Sequence, residues 1–395
     1  MSDSQVKKND IAGLIKSNIR NYSMFLMLVL IMIVFAVLTS GTNLNSRNFT
    51  NIFLQYSYVL ILAVGMVQVI IIGGIDLSVG SVCAFVGAIS AMVYNSGAGI
   101  AGSLLAALLV GLAIGAFQGF WIAYLKIPAF IVTLAGMLLF RGLTYIITHV
   151  NPIPLKDDGY KQIASGMFLE TLDTGDVHIS ALAVGAVLLA VYIIMEILSR
   201  KKNIQNNFEV APGSLFIGKL VIISVLVLSL AQRFATYRGL PVVVIVLGIT
   251  VFVFNFMMKN TVLGRYIYAV GGNARSAKLS GINSELITFV VFCIMGILSG
   301  LAGVVSTGYM NSALPQAGNL FELDAIAACY IGGVSASGGI GTVVGVIVGG
   351  LVMSAINNGM SLMNIGSDWQ YVVKASILLL AVFYDVYTRR KAGLG

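Results

Sequence analysis

The stretch Ile71-Ile-Gly-Gly-Ile-Asp-Leu-Ser-Val-Gly-Ser81 closes one long apolar run with two glycines and a carboxylate. A second stretch does the same in the other half of the chain: Leu323-Asp-Ala-Ile-Ala-Ala-Cys-Tyr-Ile-Gly-Gly-Val-Ser-Ala-Ser-Gly-Gly339. The apolar runs are roughly twenty residues long, enough to cross a bilayer core of about 30 Å. In hydrocarbon, an irregular backbone or a carboxylate is costly unless protein buries it or a water-filled cavity receives it. Paired breaks in the two halves of a membrane protein therefore point to a permeation path. The runs are continuously apolar rather than alternating, which selects helices over a β-barrel. The fold expected is all-α and polytopic, with broken or short helices.

Composition agrees. The chain has 395 residues, 58% hydrophobic and 10% charged, with mean hydropathy +0.97. A soluble domain would be about 25% charged. No polar stretch is long enough for an appended soluble domain, so residues 1–395 read as one transmembrane helical domain. Met1 to Asn21 is polar and basic and reads as a cytoplasmic tail rather than a cleavable signal. Cys83, Cys293 and Cys329 lie in apolar runs and read as inert core thiols.

Twelve spans are expected, at about 22–40, 52–72, 77–95, 100–125, 129–149, 179–198, 215–232, 239–258, 286–307, 322–336, 340–360 and 370–387. Lys and Arg orient them. With the N-terminus inside, only Arg47, Lys156, Lys161, Arg233 and Arg238 fall outside. Arg141 and Lys374 fall within spans, and every other Lys and Arg falls inside. Both termini are then cytoplasmic, and this bias accounts for the net charge of +8 without a nucleic-acid partner. The outer loop Val150 to Val177 carries Asp157, Asp158, Glu170, Asp173 and Asp176. It is either simply solvated or a docking surface.

The halves resemble each other. Ile75-Asp76 aligns with Leu323-Asp324, Phe117-Gln-Gly119 with Asn357-Asn-Gly359, and Phe130-Ile-Val132 with Gln370-Tyr-Val372. The first unit (about 52–149) starts outside and the second (about 286–387) inside, an inverted arrangement that puts a pathway at the repeat interface. Chance matching of small apolar residues is the competing explanation. Residues 178–232 have no counterpart and read as a two-span insertion in a ten-helix core.

One polar loop, about 259–285, is unlike the others. Gly271-Gly272 reads as a turn, Asn273 as an N-cap, Ala274 to Ser280 as a two-turn helix, and Gly281 as its C-cap. Arg275 and Lys278 share a face of that helix, and Leu279 follows. A capped helix between two spans is a lever suited to force from a soluble motor; an ordinary interfacial linker helix would look the same.

Arg265-Tyr-Ile-Tyr-Ala-Val-Gly-Gly-Asn273, followed by Ala277-Lys-Leu-Ser-Gly-Ile282, resembles the coupling segment of the ribose/xylose/galactose-type (multiple-monosaccharide) ABC importer permeases. Gly74-Ile-Asp-Leu-Ser-Val-Gly-Ser81, Pro128-Ala-Phe-Ile-Val-Thr-Leu-Ala-Gly136, Phe140-Arg-Gly142, Glu322-Leu-Asp-Ala-Ile-Ala-Ala328 and Ile331-Gly-Gly333 are similar to other signatures of that family. The match runs in order along nearly the whole chain, and the spans at 178–232 resemble the longer xylose-type members. The resemblance implies a permease homodimer in a bacterial inner (plasma) membrane, seated on cytoplasmic ATP-binding subunits. An extracytoplasmic sugar-binding protein would deliver the monosaccharide (xylose, ribose, galactose or similar). Gly271, Gly272, Asn273, Arg275, Lys278, Leu279 and Gly281 become candidate coupling residues. The chain has no GxxxxGK[ST] phosphate-binding loop, so it is expected to be no enzyme and to need no cofactor of its own.

Sugars present hydroxyl edges and apolar ring faces, so amides, hydroxyls and aromatic rings suit their path. Asp76, Gln118, Phe130, Asn357, Asn358, Gln370 and Tyr371 are the path candidates. Interhelical hydrogen bonding, or capping of the third span by Asp76, is the alternative. Glu322 and Asp324 either cap a helix or face a docked binding protein. Arg141 and Lys374 either snorkel or pair with Asp76, Asp324 or Asp368. His149 and His178 have no metal-ligand companion at useful spacing. An ion-coupled secondary transporter of a small polar solute is the rival function, since it too uses inverted repeats and broken helices. A lipid-modifying membrane enzyme would need clustered acid–base residues that two dispersed histidines do not supply.

Overall fold

The computed structural model describes the backbone of residues 11–169, 177–206, 208, 210 and 212–391, and the side chains of these except 11–23, 384 and 388–391. The tail before Ile11, and Glu170, Asp173 and Asp176 of the acidic loop, lie outside the described residues. The helices are α1 (Ile11–Leu38), α2 (Ser46–Ile71), α3 (Val79–Val93), α4 (Gly99–Ala123), α5 (Ala129–Thr148), α6 (Gln162–Ser165), α7 (Ile179–Gln205), α8 (Gly213–Ala235), α9 (Val242–Asn260), α10 (Val262–Leu279), α11 (Ser284–Met310), α12 (Phe321–Ile331), α13 (Val343–Leu362) and α14 (Ser367–Lys391). Each of the twelve expected runs becomes an apolar helix. Among the described residues, nine helical stretches are long and apolar enough to cross a membrane, counting α3 and α4 as one stretch of 45 residues. With 15 and 11 residues, α3 and α12 are each too short to cross alone, so twelve full spans are not reached.

Burial sorts the helices into centre and rim. In α2, 89% of the most apolar window is buried, against 6% in α8. A helix apolar on every side suits either lipid or a protein core, so sequence alone does not separate these two. α11 packs on α4 with backbones in contact. A β-carbon on Gly296 would lie 2.1 Å from the Gly111 carbonyl oxygen, and one on Gly300 would lie 2.5 Å from that of Ala107. Small residues spaced by four permit this approach where lipid offers no hydrophobic drive for association. The two helices of the expected insertion, α7 and α8, pack against each other at the rim. An aromatic triangle of Phe49, Phe53 and Phe234, with centroids 5.3 to 5.6 Å apart, holds α8 to α2.

The two ends of the bundle differ. At one end α10 lies between α9 and α11. At the opposite end the loop after α5 folds back onto the bundle. Its strand Ile153–Pro154 pairs antiparallel with Ser312–Ala313, and the fully buried Tyr160 shares a 2.7 Å hydrogen bond with Ser90. Asp157 accepts from the Tyr94 hydroxyl and, at 2.8 Å, from the Gly159 N–H. These bonds hold its carboxyl below the usual carboxylate range. The described part of the acidic loop is therefore a packed structure as well as a solvated one.

Candidate functional site: the helix crossing and the capped short helix

The first break leaves α2 at Ile71 and rises through Asp76 to the start of α3. The second leaves α12 at Ile331 and runs through Ser335–Gly339. α12 spans about 16 Å and α3 about 22 Å at 1.5 Å per residue, so their N-termini meet inside the bundle, away from both ends. There a β-carbon on Gly80 would lie 2.1 Å from the Gly318 carbonyl oxygen, and one on Gly318 would lie 1.9 Å from that of Gly80. Gly318 also has φ +72°, a left-handed conformation that favours glycine.

Polar groups gather around this crossing. Asp76 Oδ1 accepts from the Ser78 N–H at 2.8 Å and the Ser78 hydroxyl at 2.6 Å, and Gln118 Nε2 donates to Ser78 Oγ at 2.8 Å. Ser78, rather than Asp76, sits at the N-cap position of α3 and makes no side-chain capping bond. Asp76 thus organises the turn two residues before the N-cap, which replaces the alternative that Asp76 itself caps α3. The Glu322 carboxylate points at Gly80, where a β-carbon would lie 2.5 Å from Oε2. That oxygen has no hydrogen-bond partner among the described residues. Arg141 donates to the Ala317 carbonyl at 2.5 Å and brings its positive charge to Glu322. On the other side of α12, Lys374 pairs with Asp324 at 2.9 Å. Asn357 lies beside Asp324 and Tyr56, with neither amide atom hydrogen-bonded among the described residues. Glu322 and Asp324 are 7% and 5% exposed, so in this conformation neither offers its carboxylate to a protein docked outside.

The path candidates do not all converge. Asp76 and Gln118 share one network at the crossing, and Asn357 stands beside Asp324. Asn358 is elsewhere, in a reciprocal amide pair with Asn48 at 2.8 and 2.9 Å. Gln370 is occupied by the Ile365 carbonyl at 2.9 Å. Phe130 and Tyr371 lie half-exposed on the outer surface.

The loop at 259–285 is helical for most of its length. Thr261 caps α10, and Asn273, at φ −162° and ψ 98°, breaks it. Asn273 then accepts the Ser276 N–H at 2.9 Å and caps a second short helix, as expected. The Gly281 N–H donates to Lys278 and the Ile282 N–H to Ala277, both at 3.0 Å, with Gly281 at φ +84°. That is the Schellman pattern, with Ile282 packed against the core cluster that contains Ala277. Gly271 and Gly272 are the last helical residues before Asn273 rather than a turn. The reason is steric: a β-carbon on Gly271 would lie 1.8 Å from the Ile71 carbonyl oxygen and 2.9 Å from Gly339 N. Sequence reading reached Gly271 but not its neighbours, because nothing local links residues 71, 271 and 339.

Arg275, Lys278 and Leu279 project from the end of the bundle, Leu279 at 85% exposure. Glu285 accepts from Lys278 at 2.8 Å and lies 3.5 Å from Lys126. It thereby ties the short helix to the α4–α5 loop across a cleft of about 380 Å³, also lined by Ala274, Arg275 and Thr288. In the sequence only Lys126, a lone cation between two apolar runs, hints at this tie.

Residues 48–382 match the family described as branched-chain amino acid transport system/permease component. The xylose transport system permease protein XylH of Escherichia coli (strain K12) is 37% identical over 382 residues, covering 96% of this chain and 95% of the relative. XylH of Haemophilus influenzae is 36% identical over 375 residues, 95% of this chain and 98% of the relative. The ribose import permease protein RbsC of E. coli (strain K12) is 35% identical over 363 residues, 92% of each. No solved structure matches the chain. The chain therefore belongs to the family of branched-chain amino acid transport system permease components, in the branch that holds these xylose and ribose permeases.

Proposed function

We propose that this chain is the membrane-spanning subunit of an ATP-driven importer of a monosaccharide of the xylose or ribose class. In this reading an extracytoplasmic binding protein delivers the sugar, and a cytoplasmic ATP-binding subunit moves the permease. The observation that carries it is the second short helix of α10. An apolar side chain held 85% exposed at its tip, beside the exposed cations Arg275 and Lys278, on a helix capped at both ends is what a protein partner grips. The relatives' names supply the sugar class.

The α10 end is then cytoplasmic, with both termini on that side. The inverted-repeat reading draws support from one recurring tie: Thr133 of α5 donates to the Ile75 carbonyl at 3.2 Å, and Lys374 of α14 pairs with Asp324. The last helix of each unit holds that unit's own short segment. Two copies of the chain pair in the membrane, and Asp76, Gln118 and Asn357 stand nearest the route. Glu322 and Asp324 act inside the bundle, and the binding protein meets the loops at the far end.

Reconstitution in vesicles tests the reading. With ATP-binding subunit and binding protein present, D-xylose or D-ribose should accumulate only when ATP is supplied on the α10 side. Accumulation by the chain alone under a proton or sodium gradient would establish the secondary-transporter alternative instead.

A further inference from the structure

Three segments distant in sequence meet at one point on the α10 end. Ile71 is the last residue of α2 before the first break. Gly339 closes the second break, and its N–H donates to the Ile71 carbonyl at 2.8 Å. Gly271 lies against both, with a β-carbon there placed 1.8 Å from Ile71 O and 2.9 Å from Gly339 N. Two further bonds secure the point. The Tyr268 hydroxyl donates to the Gly341 carbonyl at 2.7 Å, and the Ala336 N–H donates to Asp385 of α14 at 3.1 Å.

Each segment leads elsewhere. From Ile71 the chain climbs through Asp76 to Gly80 at the head of α3. From Gly339 it leads back through α12 to Glu322 and Gly318. Gly80 and Gly318 are the backbone contact inside the bundle. Gly271 therefore touches the two lower ends of a closed loop whose upper ends touch each other. On its other side, only Gly272 and the break at Asn273 separate Gly271 from the exposed short helix that ends α10 with Arg275 and Leu279.

We propose that Gly271 is a positioning residue that passes displacement of the coupling helix to both breaks at once. This rests on the coupling role assigned above. A contact between bare backbones transmits motion stiffly, since no side-chain rotamer stands between to absorb it. Gly271 is helical, so alanine is compatible with its backbone; only the contact forbids a methyl group. That separates Gly271 from a glycine needed for its conformation.

The test compares Gly271→Ala and Gly248→Ala in the complete reconstituted complex. Gly248 is a helical glycine of α9 with open space around its Cα. The readout is D-xylose or D-ribose moved per ATP hydrolysed. That ratio is indifferent to how much complex has folded, since lost protein lowers both terms alike. Gly271→Ala should lower the ratio about tenfold, within the range of coupling changes produced by residues remote from ligand, while Gly248→Ala leaves it unchanged. A ratio for Gly271→Ala equal to wild type overturns the proposal. If Gly271→Ala prevents assembly, Tyr268→Phe decides. Loss of that single bond should lower the ratio about threefold, and an unchanged ratio overturns the proposal equally. A wild-type complex that hydrolyses ATP without moving sugar points instead to failure of the coupling role itself.

Discussion

Lys374 of α14 donates to Asp324 of α12 at 2.9 Å, and the other oxygen of that carboxylate has no hydrogen-bond partner among the described residues. A buried pair of this kind resists loss of one member more than loss of both. Removing one leaves a charge stranded, at a cost of about 3–5 kcal/mol, whereas replacing both by apolar groups is often near neutral. Lys374→Met should therefore destabilise the protein by about 3–5 kcal/mol, and Lys374→Met with Asp324→Leu should recover most of that loss. Thermal unfolding of the wild type, Lys374→Met, Asp324→Leu and the double variant in detergent checks it. Additive single losses would mean that the pair is not coupled.

The α4–α11 contact predicts a different kind of sensitivity. A methyl group on Gly296 would press into the Gly111 carbonyl, 2.1 Å away. Backbone cannot yield as a side-chain tip can. Gly296→Ala should cost at least about 1–3 kcal/mol, the usual range for overpacking. Gly218→Ala in α8, where nothing lies within 4 Å, should be neutral or slightly stabilising. The same unfolding measurement separates the two.

These cases show what a sequence exposes. Apolar run length located every long apolar helix, because crossing hydrocarbon sets a strict length; the polar α10 left no such mark. Asn273 and Gly281 were legible because capping is local chemistry, written within a few residues. The Lys374–Asp324 pair was one of several allowed pairings, and the fold chose it. Gly271 reads as a turn from sequence and is helical in the fold, because a glycine spared for close approach and a glycine needed for a turn look alike until the opposing backbone is known. The burial of Glu322 and Asp324 was illegible for the same reason. A carboxylate at a helix start reads as a cap, and only the meeting of α3 with α12 puts it in the interior.

The exposed tip of the short helix after Asn273 gives a prediction about association. Leu279 is 85% exposed and contributes little to this chain's own packing. Leu279→Asp should leave unfolding within about 0.5 kcal/mol of wild type, as surface substitutions usually do. The same change should weaken binding of the ATP-binding subunit by about 2 kcal/mol or more, the cost of losing an interface anchor. Arg275→Glu with Lys278→Glu should act in the same direction and more strongly at low salt. Co-purification and a titration of the detergent-solubilised subunits measure both. Undiminished binding by Leu279→Asp would place the docking surface elsewhere on the molecule.

The far-end loop gives a prediction about pH. Asp157 is held by the Tyr94 hydroxyl first and the Gly159 N–H second, and both favour the ionised carboxylate. Its carboxyl therefore titrates lower in the folded protein than in the unfolded chain, where aspartate sits near about 3.9. A depressed folded value stabilises the fold above the unfolded value and loses that contribution as pH falls through the folded one. Asp157→Asn keeps an acceptor oxygen but carries no charge at any pH. The difference in melting temperature between wild type and Asp157→Asn should thus be constant from about pH 8 to pH 5 and shrink below about pH 4. The wild type should be the more stable partner throughout the upper range. A difference that persists unchanged to about pH 3 would show that Tyr94 and Gly159 hold the loop through shape alone, with the charge of Asp157 contributing nothing.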